Sequence, residues 1–176
     1  IYVGQNLFLP NVNRSRPDKT STAKIPVSKR TLKNAKASSK KNAASIPLAT
    51  SLKGFSWPVK GKVLSSYGNK SQGLQNDGIN ISAPLGAPVR AAENGVVAYS
   101  GNELRGFGNL LLLKHTGGWI TAYAHNDILL VKRGDKIKKG QIISKVGSSG
   151  SVQNPQLHFE LRKGKKAIDP IKYLPK

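Results

Sequence analysis

The sequence predicts an all-β domain, a compact antiparallel β-sheet, between Gly54 and Lys176. Three observations carry this expectation. Short apolar runs recur between glycine-rich breaks, as in "GVVAYSG", "GNLLLLKHTGGWITAYAH" and "GDKIKKGQIISKVGSSG". The segment Gln156–Arg162 alternates strictly, with Leu157, Phe159 and Leu161 on one side and Gln156, His158, Glu160 and Arg162 on the other. That period of two belongs to a strand with one face in a core and one face open. No long segment carries an apolar stripe at helical spacing with caps.

The elements follow in chain order. A first residue Ile1 in place of Met leads to the expectation of a piece trimmed from a longer chain. The opening "IYVGQNLFLP", residues 1–10, resembles the end of a LysM module, a family that binds the glycan of peptidoglycan. Residues 11–53 are rich in Ser, Thr, Asn, Ala and Lys. The first 53 residues hold 11 Lys or Arg and one acid, Asp18. Such a segment buries too little apolar surface to offset the entropy of ordering it, so a disordered basic linker is expected at 11–53. From residue 54 onward the chain holds 18 basic and 7 acidic residues, so the positive excess continues into the folded part. "NLLLLKHTGGWITAYAH" reads as two strands joined by a Thr-Gly-Gly turn, with Trp119, Thr121, Tyr123 and His125 sharing a face of the second.

Composition narrows the function classes. The chain has no cysteine, so disulfides, thiolate nucleophiles and cysteine-based zinc sites are excluded. It has no apolar run of about 18 residues, the length a membrane-spanning helix needs. A net charge of +21 over 176 residues draws the chain to polyanions. Nucleic acid, lipid headgroups and anionic envelope polymers are alike in this respect. No nucleic-acid recognition motif or aromatic stacking platform is present, so no specific nucleic-acid partner is expected.

Six blocks in order, "WPVKGKVLSSYG", "GINISAPLGAPVRAAENGVV", "GFGNLLLLKH", "YAHN", "GDKIKKGQIISKVGSSG" and "LHFELRKGKKAIDPIKYL", resemble the LytM (lysostaphin-type) family over essentially all of 54–176. The resemblance implies a lysostaphin-like, barrel-sandwich hybrid-like β domain. Its active members are zinc peptidases that cut peptidoglycan peptides. They hold the metal with the histidine and aspartate of a His-x-Gly-x-Asp segment and the second histidine of a His-x-His strand. A catalytic zinc keeps three such protein ligands and one open position for water.

This chain departs from that pattern. Asn76 stands at the first ligand position, Asn80 at the second, and Gln156 at the first histidine of the pair. His158 remains at the third ligand position and His125 at the place of an assisting histidine. Neutral amides are poor zinc ligands. Asp77 is expected on the opposite face from Asn76, Glu160 roughly 7 Å along the strand from His158, and His115 at the far end of its strand. The resemblance thus implies no metal, no cofactor and no catalysis.

Degenerate LytM domains of the NlpD/EnvC type activate N-acetylmuramoyl-L-alanine amidases during cell division. The resemblance implies such a role in the periplasm or cell envelope of a Gram-negative bacterium, as an outer-membrane lipoprotein in some members. It implies peptidoglycan and an amidase as partners and the emptied groove as the docking surface. Asn76, Asn80, His125, Gln156 and His158 would line that groove. Arg162 would pair with a partner carboxylate, and Tyr123 and Trp119 would supply apolar anchors. A peptidoglycan-binding scaffold without an enzyme partner, and a zinc endopeptidase with unusual ligands, are the alternatives.

Overall fold

A computed structural model of the chain describes residues 54–70 and 73–176. The LysM-like stretch at 1–10 and the basic linker at 11–53 lie outside the described residues. The strands run β1 (Lys62–Ser65), β2 (Gly68–Asn69), β3 (Gln75–Asn76), β4 (Ile79–Ser82), β5 (Pro88–Arg90) and β6 (Gly95–Gly101). They continue β7 (Asn109–Lys114), β8 (Trp119–Leu129), β9 (Lys136–Ile137), β10 (Ile142–Val146), β11 (Gln156–Lys163) and β12 (Lys166–Ile168). Short 3-10 turns, Thr116–Gly118 and Pro170–Lys172, punctuate them.

The main sheet has ten strands, in the order β1-β4-β11-β8-β7-β6-β9. Off that path β12 pairs with β11, and β10 pairs with both β8 and β5. Strands β2 and β3 form a separate ribbon. All pairings are antiparallel, as short strands joined by tight turns require. The predicted all-β class holds.

Register explains the core. Ile79 pairs with Phe159, Phe159 with Tyr123, and Tyr123 with Leu111, so four strands contribute one lateral row on one face. The next rows add Leu157 with Ile81, and Leu161 with Thr121 and Leu113. All of these side chains are fully buried. The Thr-Gly-Gly turn sits where the sequence places it, and Gly117 and Gly118 both take positive φ (68° and 75°), which glycine adopts without steric cost.

The second face of β11 departs from expectation. It is closed over, and His158 and Glu160 are buried at 2% and 5% exposure. A second apolar group, Leu110, Ala122 and Ala124 with Phe107 and Leu112 packed on it, lies on this side of β7 and β8. Alternation identifies two faces but not whether the polar one is wet.

His115 is buried beside the core. Its Nδ1 lies 2.7 Å from the Asn94 carbonyl oxygen, and its Nε2 lies 2.7 Å from the Thr121 hydroxyl. The carbonyl fixes the hydrogen on Nδ1. Burial pushes the imidazole below the usual histidine value, against the Asn94 hydrogen bond and the Glu93 charge, which raise it.

Two measurements check this account. Phe159→Ala removes the centre of the core row and should cost about 3–5 kcal/mol in chemical unfolding. Below its ordinary value of 6.5, the unfolded His115 binds a proton that the folded one refuses. The contribution of neutral His115 to stability should therefore be full above that pH and be lost progressively as the solution is acidified below it. The fall should be shallower in His115→Gln; an identical slope would remove His115 as its cause.

Candidate functional site

The site is built where β4 meets β11. Their register sets Asn80 opposite His158, and Gln156 opposite Ser82, so these four share a face. Asn76 arrives from β3 and bends back toward β4, and its Oδ1 accepts from the Gly78 backbone N–H at 3.0 Å. Gly78 is required here, since a Cβ would lie 2.2 Å from the Phe159 carbonyl oxygen. The bend brings Asn76 Nδ2 within 3.0 Å of both Ser65 Oγ and Asn80 Oδ1. Asn80 Nδ2 in turn donates to Gln156 Oε1 at 2.9 Å.

The chain of hydrogen bonds continues along β11. His158 Nδ1 lies 3.2 Å from Asn80 Oδ1, and its Nε2 lies 3.1 Å from Glu160 Oε1. Arg162 Nη1 donates to Glu160 Oε2 at 2.7 Å, lies 3.5 Å from Asp77 Oδ2, and Nη2 donates to the Lys165 carbonyl. Burial pushes the Glu160 carboxyl up. Hydrogen bonds and charge from His158 and Arg162 outweigh it and hold the group below the usual carboxylate range. Among the described residues no buried side-chain nitrogen or oxygen lacks a partner.

His125 faces His158 with ring centroids 6.1 Å apart, and its Nδ1 lies 2.9 Å from the Ser149 carbonyl oxygen. Burial pushes its imidazole below the usual value. Its backbone φ is +63°, the left-handed region that a non-glycine residue seldom enters. A shallow cleft of about 210 Å³ opens over Asn76, Asn80 and Gln156, with Leu64 and Leu74 among its walls and Lys70 beside them.

The donor set does not fit the zinc that the family's peptidases hold. Asn76 and Asn80, which the resemblance sets at two of the ligand positions, are neutral amides. Each turns an N–H group into the cluster, where a metal needs lone pairs. Both nitrogens of His158 already have oxygen neighbours, Asn80 Oδ1 at 3.2 Å and Glu160 Oε1 at 3.1 Å, so the ring is engaged within the cluster. Among the described residues, no three His, Cys, Asp or Glu side chains converge as a metal would require.

Several expectations for individual residues change. Asn76, Asn80, Gln156, His158 and His125 do come together. Tyr123 does not join them. It is fully buried on the opposite face, its hydroxyl 2.9 Å from the Ala92 N–H and 3.0 Å from Thr121 Oγ1, so it cannot anchor a partner. Trp119 packs edge-on against Phe55 and Tyr173, under Lys163, on that same core face. His125 leaves the face of Trp119 and Tyr123 because its left-handed backbone breaks the alternation of β8. Arg162 already has two carboxylates, and Glu160 reaches His158 directly. The amides, expected to wait for a partner's backbone, largely satisfy one another.

Sequence reasoning missed Asn126. It is fully buried, and its Nδ2 donates to the carbonyls of Asn109 and Tyr123 at 2.8 and 2.7 Å. Its Oδ1 accepts from Ser144 Oγ at 2.7 Å. The signal was weak: an asparagine within a strand-forming run, which costs strand propensity unless its amide serves the backbone.

The chain is 47% identical over 128 residues to the cell division protein DipM of Caulobacter vibrioides, covering 69% of this chain and 21% of that protein. It is 41% identical over 179 residues to YgeR, an uncharacterized lipoprotein of Escherichia coli, covering 99% of this chain and 67% of that one. It is 40% identical over 134 residues to the murein hydrolase activator NlpD of Salmonella typhimurium, covering 76% and 35%. The chain thus spans about a fifth and a third of the lengths of DipM and NlpD. Among solved structures, a zinc-containing peptidase from Vibrio cholerae superposes with a TM-score of 0.63 at 30% identity, over 69% of this chain and 41% of that one. Residues 74–170, more than half of the sequence, match Peptidase family M23, and the chain belongs to that family.

Proposed function

We propose that this chain is a non-catalytic activator of an N-acetylmuramoyl-L-alanine amidase in the envelope of a Gram-negative bacterium. The amide network in the ligand positions carries this reading. An M23 scaffold is retained around a cluster in which Asn76, Asn80 and Gln156 bond to each other instead of offering lone pairs to a metal. Relatives bearing the name murein hydrolase activator, and others named lipoproteins, support the regulatory role and the envelope location. In this reading residues 1–10 close a LysM module, 11–53 tether the domain, and 54–176 do the docking. The partner binds at the cleft over the amides, where Leu64 and Leu74 stand 53% and 44% exposed.

A satisfied amide floor suits docking. It carries no net charge to desolvate under a partner and leaves no orphaned group when the partner departs. The second reading, a peptidoglycan-binding scaffold, rests on the basic charge of the chain alone.

Dye release from labelled peptidoglycan separates the readings. The chain alone should release nothing, a cognate amidase alone little, and the two together much more. Release by the chain alone would overturn the activator reading in favour of a peptidase. Silence of every amidase of its own organism would favour the scaffold. Elemental analysis of protein purified without chelator should find far less than one zinc per chain; near-unit zinc lost on His158→Ala would contradict the assignment.

Leu74→Glu tests the docking surface. It should weaken activation strongly while shifting unfolding by no more than about 0.5 kcal/mol, as exposed substitutions do. Arg162→Glu is unsuited to this purpose, because it sets a second carboxylate against buried Glu160.

A further inference from the structure

A second surface stands apart from the amide cluster, on the ribbon formed by the end of β8 with β10 and β5. Ile128 pairs with Lys145, and Lys145 with Pro88, so one row crosses three strands. The next positions out are Leu130, whose N–H bonds the Ile143 carbonyl, and Ile142, which pairs with Arg90. All six side chains are exposed, with Ile128 at 47%, Leu130 at 49% and Ile142 at 40%. The intervening Leu129 packs on the core, and Val89, Ile143 and Ser144 are buried. The ribbon therefore has a filled inner face and an outer face of three large aliphatic side chains, a proline and two cations.

Exposed aliphatic side chains on a sheet face are normally spaced by polar groups of both signs. Here the polar groups within the strip are both cationic, and Asp127 adjoins it along β8. Arg90 spends Nη1 on the Gly140 carbonyl at 2.9 Å, which holds the guanidinium in place and leaves its other donors.

We infer that this strip is an interfacial binding surface for an anionic lipid bilayer. Such a surface offers both halves of what the strip displays. Phosphate headgroups take Arg90 and Lys145, and the boundary of the acyl region takes Ile128, Leu130 and Ile142. The net charge of +21 draws the chain to the same surface over a longer range. A soluble polyanion would use the cations and leave the aliphatic groups in water. The lipid surface accounts for both. The inference does not depend on amidase activation, since no residue of the strip belongs to the amide cluster.

The test uses the full chain and sedimentation with vesicles of phosphatidylcholine, alone or mixed in equal parts with phosphatidylglycerol, at physiological salt. The chain should sediment with the mixed vesicles and much less with phosphatidylcholine alone. Ile128→Ser combined with Leu130→Ser should lower that binding roughly tenfold, with the thermal midpoint and amidase activation in solution unchanged. Arg90→Gln combined with Lys145→Gln should lower it similarly. Equal binding by the wild-type and the serine variant would assign the attraction to basic residues elsewhere and overturn the inference. So would absence of binding to the mixed vesicles. Self-association of the wild-type that the serine variant abolishes would overturn it in favour of a second copy as the occupant.

Discussion

The fold depends on what happens to β8 at Asn126. Before it, β8 is flanked by β11 and β7; after it, by β10. A strand that changes partners must release backbone groups from one ladder before it enters the next, and buried groups released in this way need substitutes. Asn126 supplies them. Its amide serves the carbonyls of Asn109 and Tyr123 and the Ser144 hydroxyl, and its own carbonyl accepts from Ser149 Oγ and Asn109 Nδ2. Register shifts on both sides mark the same place.

The site inherits its geometry from that transition. His125 is the residue just before it, and its left-handed backbone carries the ring out of the core and toward His158. The Ser149 carbonyl that receives its Nδ1 belongs to the residue whose hydroxyl bonds the Asn126 backbone. The remaining charge is also locally balanced. Glu160 is buried, yet it stays ionised because His158 and Arg162 flank it. Asn80, beside His158, is a neutral amide and adds no further charge to be balanced.

Much of this was legible in the chain. Glycine spacing and the alternation of Gln156–Arg162 carried the all-β class, the Thr-Gly-Gly hairpin and the aliphatic core side of β11. The amides Asn76, Asn80 and Gln156 could be placed because each sits in a local motif. What failed depended on information that alternation lacks. Period two assigns Trp119, Tyr123 and His125 to one face, but a single positive φ reverses the parity at His125, and nothing in the residues announces it. The same period says that Glu160 and Arg162 share a face with His158. It does not say that β7 and β8 add a second apolar layer there, or that Asp77 from the β3–β4 turn reaches Arg162.

The two ends of the described domain meet. Trp57 Nε1 donates to the Pro175 carbonyl at 2.8 Å, and Phe55, Trp119 and Tyr173 stack edge to face beside that bond. The first and last residues of the described domain therefore share one corner. A pull on either end would meet the aromatic contacts and the indole bond there, and through Trp119 the first residue of β8.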